Sequence, residues 1–134
     1  MTRFYSIDEA NAALPDVERI LVALRDQREE LIRVRDLVVT AQSAGPAGGG
    51  AAPADTRTLR LRMQFLIDQM QAGVSGLVER DVTLREIDTG LIDFPALANG
   101  RQIWLCWRLG EVDVAWWHEL GDGFSGRSLL SDLT

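Results

Sequence analysis

The sequence predicts an α+β domain: a long antiparallel helical hairpin followed by a small antiparallel β-sheet of two to three strands. Three observations carry this. Two stretches of roughly 25 residues place apolar side chains at alternating three-four spacing, the mark of a helix with one buried stripe. A Gly/Ala/Pro tract, SAGPAGGGAAPA, lies between them and supports neither helix nor strand. Beyond Val82 the apolar period falls to two, and Asn99-Gly100 marks a tight hairpin turn. The 134 residues therefore read as a single domain, 1-134. Its parts are helical arm one (1-42), a flexible connector (43-54), helical arm two (55-81), and a β-hairpin with a Gly-rich C-terminal loop (82-134).

Each element has a local cause. Ser6-Ile7-Asp8-Glu9 is a capping box, in which the Ser6 hydroxyl and the Glu9 carboxylate satisfy each other's backbone N–H. It predicts a short helix over Ile7 to Leu14, with Pro15 opening a new one. From there Val17, Ile20, Leu24, Leu31, Val34 and Val38 form a coiled-coil-like stripe, with Gln27 as its polar member. Arm two opens near Asp55 or Thr56, with the stripe Leu59, Met63, Leu66, Met70, Gly73 and Leu77. Gly73 on that stripe allows close helix approach. The arms are each roughly 40 Å long, and a connector spanning roughly 20 Å joins them without strain. Residues 82 to 87 fit a helix end or a strand equally well, and Gly90 to Pro95 reads as a turn and a short extended piece.

Composition narrows the function classes. All 14 basic residues are arginine, so Schiff-base and phosphate-loop lysine chemistry is excluded. One cysteine, Cys106, excludes an intrachain disulfide, a CxxC pair and a thiolate zinc cage; one histidine, His118, excludes HExxH. A net charge of -6 without a basic stripe argues against nucleic acid. No stretch approaches the roughly 18 uncharged apolar residues of a membrane span, and Met1 to Ala13 lacks the apolar run of a signal peptide. The expectation is a bacterial, cytoplasmic protein.

The C-terminal hairpin concentrates the unusual residues. Strands over Arg101 to Leu109 and Val112 to Glu119, joined by a two-residue Gly110-Glu111 turn, pair Trp107 with Val114, Leu105 with Trp116 and Ile103 with His118. On the opposite face Cys106 meets Ala115 and Trp104 meets Trp117. Period two then makes Ile103, Leu105, Trp107 and Trp116 the core face, with His118 at its end. Trp104, Cys106 and Trp117 stand on a mixed face as a candidate interface, and Cys106 and His118 point to opposite sides.

Several words of this region come in one order: Gly90-Leu91-Ile92-Asp93-Phe94-Pro95, Leu105-Cys106-Trp107-Arg108-Leu109-Gly110-Glu111, Trp117-His118-Glu119, and Gly123-Phe124-Ser125-Gly126-Arg127. With Phe4, Ile7-Asp8-Glu9-Ala10-Asn11 and Leu14-Pro15 at the start, the chain resembles the bacterial family called domain of unknown function 2203. The resemblance implies a small cytosolic protein of helical hairpin plus small sheet, and carries over no catalytic residues.

Candidate chemistry is weighed on the residues themselves. Gly121-Asp122-Gly123-Phe124-Ser125-Gly126 matches GxGxxG, but only eight residues follow, too few for the crossover helix and strand of a dinucleotide fold. It reads as a glycine turn. His118 offers a base, a haem ligand or one member of a metal set with Glu111 or Glu119, against the plainer reading of a core-edge histidine. Arg108 beside Cys106 is a possible activator of its thiol. Arg108, Glu111, His118, Glu119 and Arg127 together make the candidate ligand site, an anion pocket or an internal ion-pair network. The leading expectation is a non-enzymatic interaction or assembly module acting as a homodimer or with a protein partner. The alternative is a small anionic-ligand, metal or haem protein, enzymatic or not, with its site at the hairpin and the GDGFSGR loop.

Overall fold

The computed structural model describes residues 3–44 and 53–132. Helix α1 (Ile7–Ala44) and helix α2 (Pro53–Glu79) pack against each other, with Leu24 meeting Gly73 and Glu30 meeting Arg62, the order of antiparallel neighbours. Strands β1 (Thr83–Glu86), β2 (Leu91–Ala98), β3 (Arg101–Arg108), β4 (Trp116–His118) and β5 (Ser128–Leu129) follow in one antiparallel sheet, ordered as in the chain. The class is α+β as expected, but the sheet has five strands rather than two to three. The additional strands are short and pair late in the chain, where two or three residues are too few to show a period. No helix among the described residues is long and apolar enough to cross a membrane.

The capping box forms in full: Ser6 N–H donates to Glu9 Oε1 and Glu9 N–H to Ser6 Oγ, both at 3.0 Å. The Ser6 backbone N–H, and after it the Ser6 hydroxyl, hold the Glu9 carboxyl below its usual range. One helix then runs through Pro15, where two were expected. A mid-helix proline costs about 3 kcal/mol. The burial of Ala10, Leu14, Val17, Leu21 and Leu24 along one continuous face outweighs it. The expected connector shortens, because residues 43 and 44 belong to α1 and 53 and 54 to α2. The rest of it lies outside the described residues.

Gly73 works as expected: a Cβ there would sit 3.0 Å from Leu24 Cδ2, so the missing side chain sets how closely the helices meet. Arg62 clamps Glu30 across the hairpin with bonds of 2.7 to 2.9 Å. α2 ends at Glu79, and in the turn after it Asp81, at a φ of 59°, lets Val82 N–H reach back to the Leu77 carbonyl. That settles the open stretch: 83–86 is strand.

Asn99 and Gly100, both at positive φ, make a two-residue turn that pairs Ala98 with Arg101. Pro95 has no N–H to give, and sits beyond the end of β1, where its carbonyl accepts Tyr5 N–H at 2.7 Å. The sheet lays Ile92, Phe94, Ala96, Ile103, Leu105 and Trp107 against α1 and the C-terminal part of α2, which makes the core.

The register from β3 to β4 differs from the two-residue turn. Trp104 pairs with His118, Leu105 with Trp117 and Cys106 with Trp116. The segment between the strands, 109–115, is odd in length, and one residue of slip turns every β4 side chain over. Trp117 therefore faces the core, while Trp116 and His118 join Cys106 on the other side. Tertiary contacts cause the longer excursion. Val114 is buried in the core and its N–H donates to Asn11 Oδ1 at 2.7 Å, while Val112 is exposed.

Candidate functional site

Antiparallel Cα partners share a face, so the pairing of Asp93 with Cys106 puts both on the side away from the helices. Thr83, paired with Asp93, and Trp104, paired with His118, stand there too. This outer face is not solvated. The segment 119–127 folds over it and carries a 3₁₀ turn at Phe124–Gly126. Asp93, Cys106 and His118 are 1%, 1% and 3% exposed.

The three side chains converge. One ligand atom from each, a carboxylate oxygen, Sγ and a ring nitrogen, lies within 4.8 Å of the other two. His118 Nδ1 is 2.8 Å from the Glu119 carbonyl oxygen. A carbonyl only accepts, so Nδ1 carries the proton and Nε2 faces inward, 3.0 Å from Asp93 Oδ2. Arg85 Nε donates to that same oxygen at 2.8 Å. Asp93 Oδ1 is buried with no hydrogen-bond partner among the described residues. Leaving a buried charged oxygen unpaired costs more than the ~1–3 kcal/mol of a neutral group. Burial, reinforced by the Asp93 charge and opposed by Arg127, pushes the Cys106 thiol up to about 11.

A cavity of about 460 Å³ opens onto the cluster, walled by Arg85, Glu86, Leu91 and residues 120–124. A larger hollow of about 550 Å³ lies between Val74, Val78 and Trp104 at the other end of β1 to β3 and is lined by none of the three converging groups.

The sequence-derived candidates divide among several places. His118 enters the cluster. Glu111 and Arg127 form a half-buried bidentate pair, at 3.0 and 2.8 Å, beside it. The Arg127 guanidinium lies between Trp116 and Phe124, 4.4 and 4.1 Å from their ring centroids, and 4.0 Å from Cys106 Sγ. Glu111 also accepts Arg108 N–H, and the Arg108 side chain covers Phe124 rather than the thiol. Glu119 contributes its carbonyl to His118, while its carboxylate pairs with Arg101. Of the proposed interface, Trp104 is stacked by Arg85 at 5.0 Å, Cys106 is interior and Trp117 faces the core. The expectation that Cys106 and His118 point apart is corrected by the β4 register. Asp93 and Arg85 were missed. The available signal was a carboxylate set between Ile92 and Phe94, inside an otherwise apolar strand.

Fold and cluster define a small α+β protein in which a meander sheet packs one face on a helical hairpin and buries an Asp–Cys–His group on the other. The chain belongs to the family described as an uncharacterized conserved protein, domain of unknown function 2203, which it matches over residues 3–130. No curated protein and no solved structure matches it at a significant level.

Proposed function

We propose that this protein binds one transition-metal ion, zinc or ferrous iron, through Asp93, Cys106 and His118, and presents the ion's open positions to the adjacent cavity. The observation that carries this is the convergence of one ligand atom from each of three buried residues within 4.8 Å, on an Asp93 carboxylate whose Oδ1 is buried without a partner among the described residues. Thiolate, imidazole and carboxylate suit zinc and iron, and three protein ligands with a vacancy is the pattern of reactive rather than structural zinc sites. Donors bonded at ~2.0–2.3 Å to a tetrahedral ion stand about 3.4 Å apart. The separation of 3.0 Å between His118 Nε2 and Asp93 Oδ2 is a few tenths of an ångström from that.

The surroundings match what a metal-binding histidine needs. Its Nδ1–H donates to a backbone carbonyl, which fixes the tautomer that points Nε2 at the ion. Arg85 donates to Asp93 Oδ2 and orients the carboxylate, whose Oδ1 is buried without a partner among the described residues. Arg127 places positive charge near the sulfur that must become a thiolate. A bound ion at this site acts as a Lewis acid toward whatever occupies the cavity.

A thiol-nucleophile reading draws on the same residues and is weaker. Burial keeps the Cys106 thiol protonated at neutral pH. His118 Nδ1 is bonded to the Glu119 carbonyl and Nε2 lies against Asp93, and no hydrogen bond joins the imidazole to Cys106 among the described residues, so it is not placed as the thiol's base. Homodimeric assembly is a compatible second reading, supported by Leu61 and Phe65, one turn apart on α2 and both more than half or half exposed.

Elemental analysis of untagged protein tests the metal reading, followed by reconstitution with cobalt(II). The expected result is about one ion per chain, with a near-ultraviolet thiolate-to-cobalt band. Cys106→Ser should lose the band and Asp93→Asn the ion, with far-ultraviolet circular dichroism unchanged. Failure of zinc, iron(II) and cobalt(II) alike to load onto the folded protein overturns it.

A further inference from the structure

The cavity beside the cluster has one cation built into its wall, and that cation is held in an unusual way. Arg85 spends one N–H, at Nε, on Asp93 Oδ2. Its guanidinium carbon lies 5.0 Å from the Trp104 ring centroid, so the plane is held by stacking as well. A guanidinium carries five N–H donors, and neither terminal nitrogen of Arg85 makes a hydrogen bond within the described residues. The side chain is 41% exposed and lines the cavity together with the three cluster residues. Two restraints on one side and a free fork on the other make a preorganised receptor for a planar anion.

Position matters as much as charge. Arg85 and the ion of the metal reading grip the same carboxylate, so they stand one carboxylate apart. An anion that reaches the fork also reaches the ion. The other charged groups in the wall are Glu86, which accepts from Thr89 Oγ1 at 2.9 Å, and Asp122. They oppose a second negative charge on the ligand. A thiolate and a carboxylate neutralise a divalent ion, which leaves Arg85 as the positive group in the wall that an anion can pair with, while Glu86 and Asp122 limit that anion to a single charge.

We propose that the cavity takes a small organic monocarboxylate, its carboxylate on the Arg85 fork and one of its oxygens on the metal. This rests on the metal reading of the Asp93–Cys106–His118 cluster. It assigns Arg85 as a ligand-binding residue and the class of ligand as a monoanionic carboxylate rather than a phosphate or a cation.

The test uses full-length protein loaded with cobalt(II). Acetate, glycolate, pyruvate and inorganic phosphate are titrated while the visible spectrum and the heat of binding are recorded. Glycolate or pyruvate should change the cobalt spectrum saturably and bind more tightly than phosphate. Arg85→Met should weaken carboxylate binding about tenfold or more, and Arg85→Lys less than that, each compared with the parent at equal cobalt loading. Loaded protein whose spectrum ignores carboxylates, or whose affinity survives Arg85→Met, overturns the proposal while leaving the metal reading standing. Phosphate binding as tightly as the carboxylates overturns the ligand class. Folded protein that takes up no cobalt overturns the metal reading and this inference with it.

Discussion

The two faces of one sheet obey different rules. Toward the helices, β2 and β3 bury Ile92, Phe94, Ile103, Leu105 and Trp107 in an apolar core. On the other side the same strands bury Asp93 and Cys106, joined by His118 from β4. The first face is stabilised by area removed from water, and each large side chain adds about 1.5–3 kcal/mol. Even the unpartnered indole N–H of Trp107 is tolerated there, because the ring's burial outweighs it. The second face has little apolar area to offset its desolvated charge. Its polar groups are only partly satisfied, which is an unfavourable way to build a core and a common way to build a site.

The contrast can be broken at several points, and the largest effect belongs to the core. Trp107→Ala leaves a cavity under the sheet and should cost about 3–5 kcal/mol in urea unfolding. Cys106→Ala, one residue away on the opposite face, should cost far less in metal-free protein. Comparable losses from the two substitutions would erase the distinction between the faces.

A ligand that fills the outer face comes next in size. Zinc at a hundredfold excess over its dissociation constant should add about 2.7 kcal/mol, or about 10 °C in melting temperature for a chain of this length. Asp93→Asn should abolish the shift, as measured by calorimetry with and without zinc.

The Cys106 thiol sets a pH dependence in two regimes. Metal binding expels its proton, so between pH 6 and 8 zinc affinity should rise about tenfold per pH unit, a change of about 1.4 kcal/mol each. Competition with a chromophoric chelator reads this slope, and a flat profile would mean that the thiol is not a ligand. In metal-free protein the sign reverses. The folded thiol lies at about 11 against an ordinary value of 9.0. The folded state thus holds the proton that the unfolded state releases, and stability falls between pH 9 and 11. Cys106→Ala should remove that fall in denaturant midpoints.

The smallest effect concerns the cover over the site. Glu111→Gln weakens the bidentate pair that holds Arg127 between Trp116 and Phe124. It should cost about 1–2 kcal/mol while exposing Cys106, so iodoacetamide should label the metal-free variant faster than the parent. Equal labelling rates would show that segment 119–127 is held by something else.

Much of the architecture was legible before any coordinates. The Ser6–Glu9 box, the stripes through Val17 and Leu66, the close approach at Gly73 and the Asn99-Gly100 turn depend on neighbours within a few residues. Local chemistry decides them. The site was legible only as a neighbourhood. His118 and Cys106 were singled out as lone members of their types, yet they were assigned to opposite faces. The odd excursion over 109–115 is set by Val114 reaching Asn11 and by Glu111 meeting Arg127, contacts made across 103 and 16 positions of chain. Period two propagates any such parity without error, so one unseen residue turned over all of β4.

What the sequence alone determined is the α+β class, the helical hairpin, the β2–β3 turn and the family resemblance, because each is written in short-range pattern. Tertiary structure alone decided which side chains share the outer face. Asp93 comes from β2, Cys106 from β3, His118 from β4 and Arg85 from β1, and only strand register places them together. Register is a property of the whole sheet, settled by which pairing buries the core and satisfies the backbone at once.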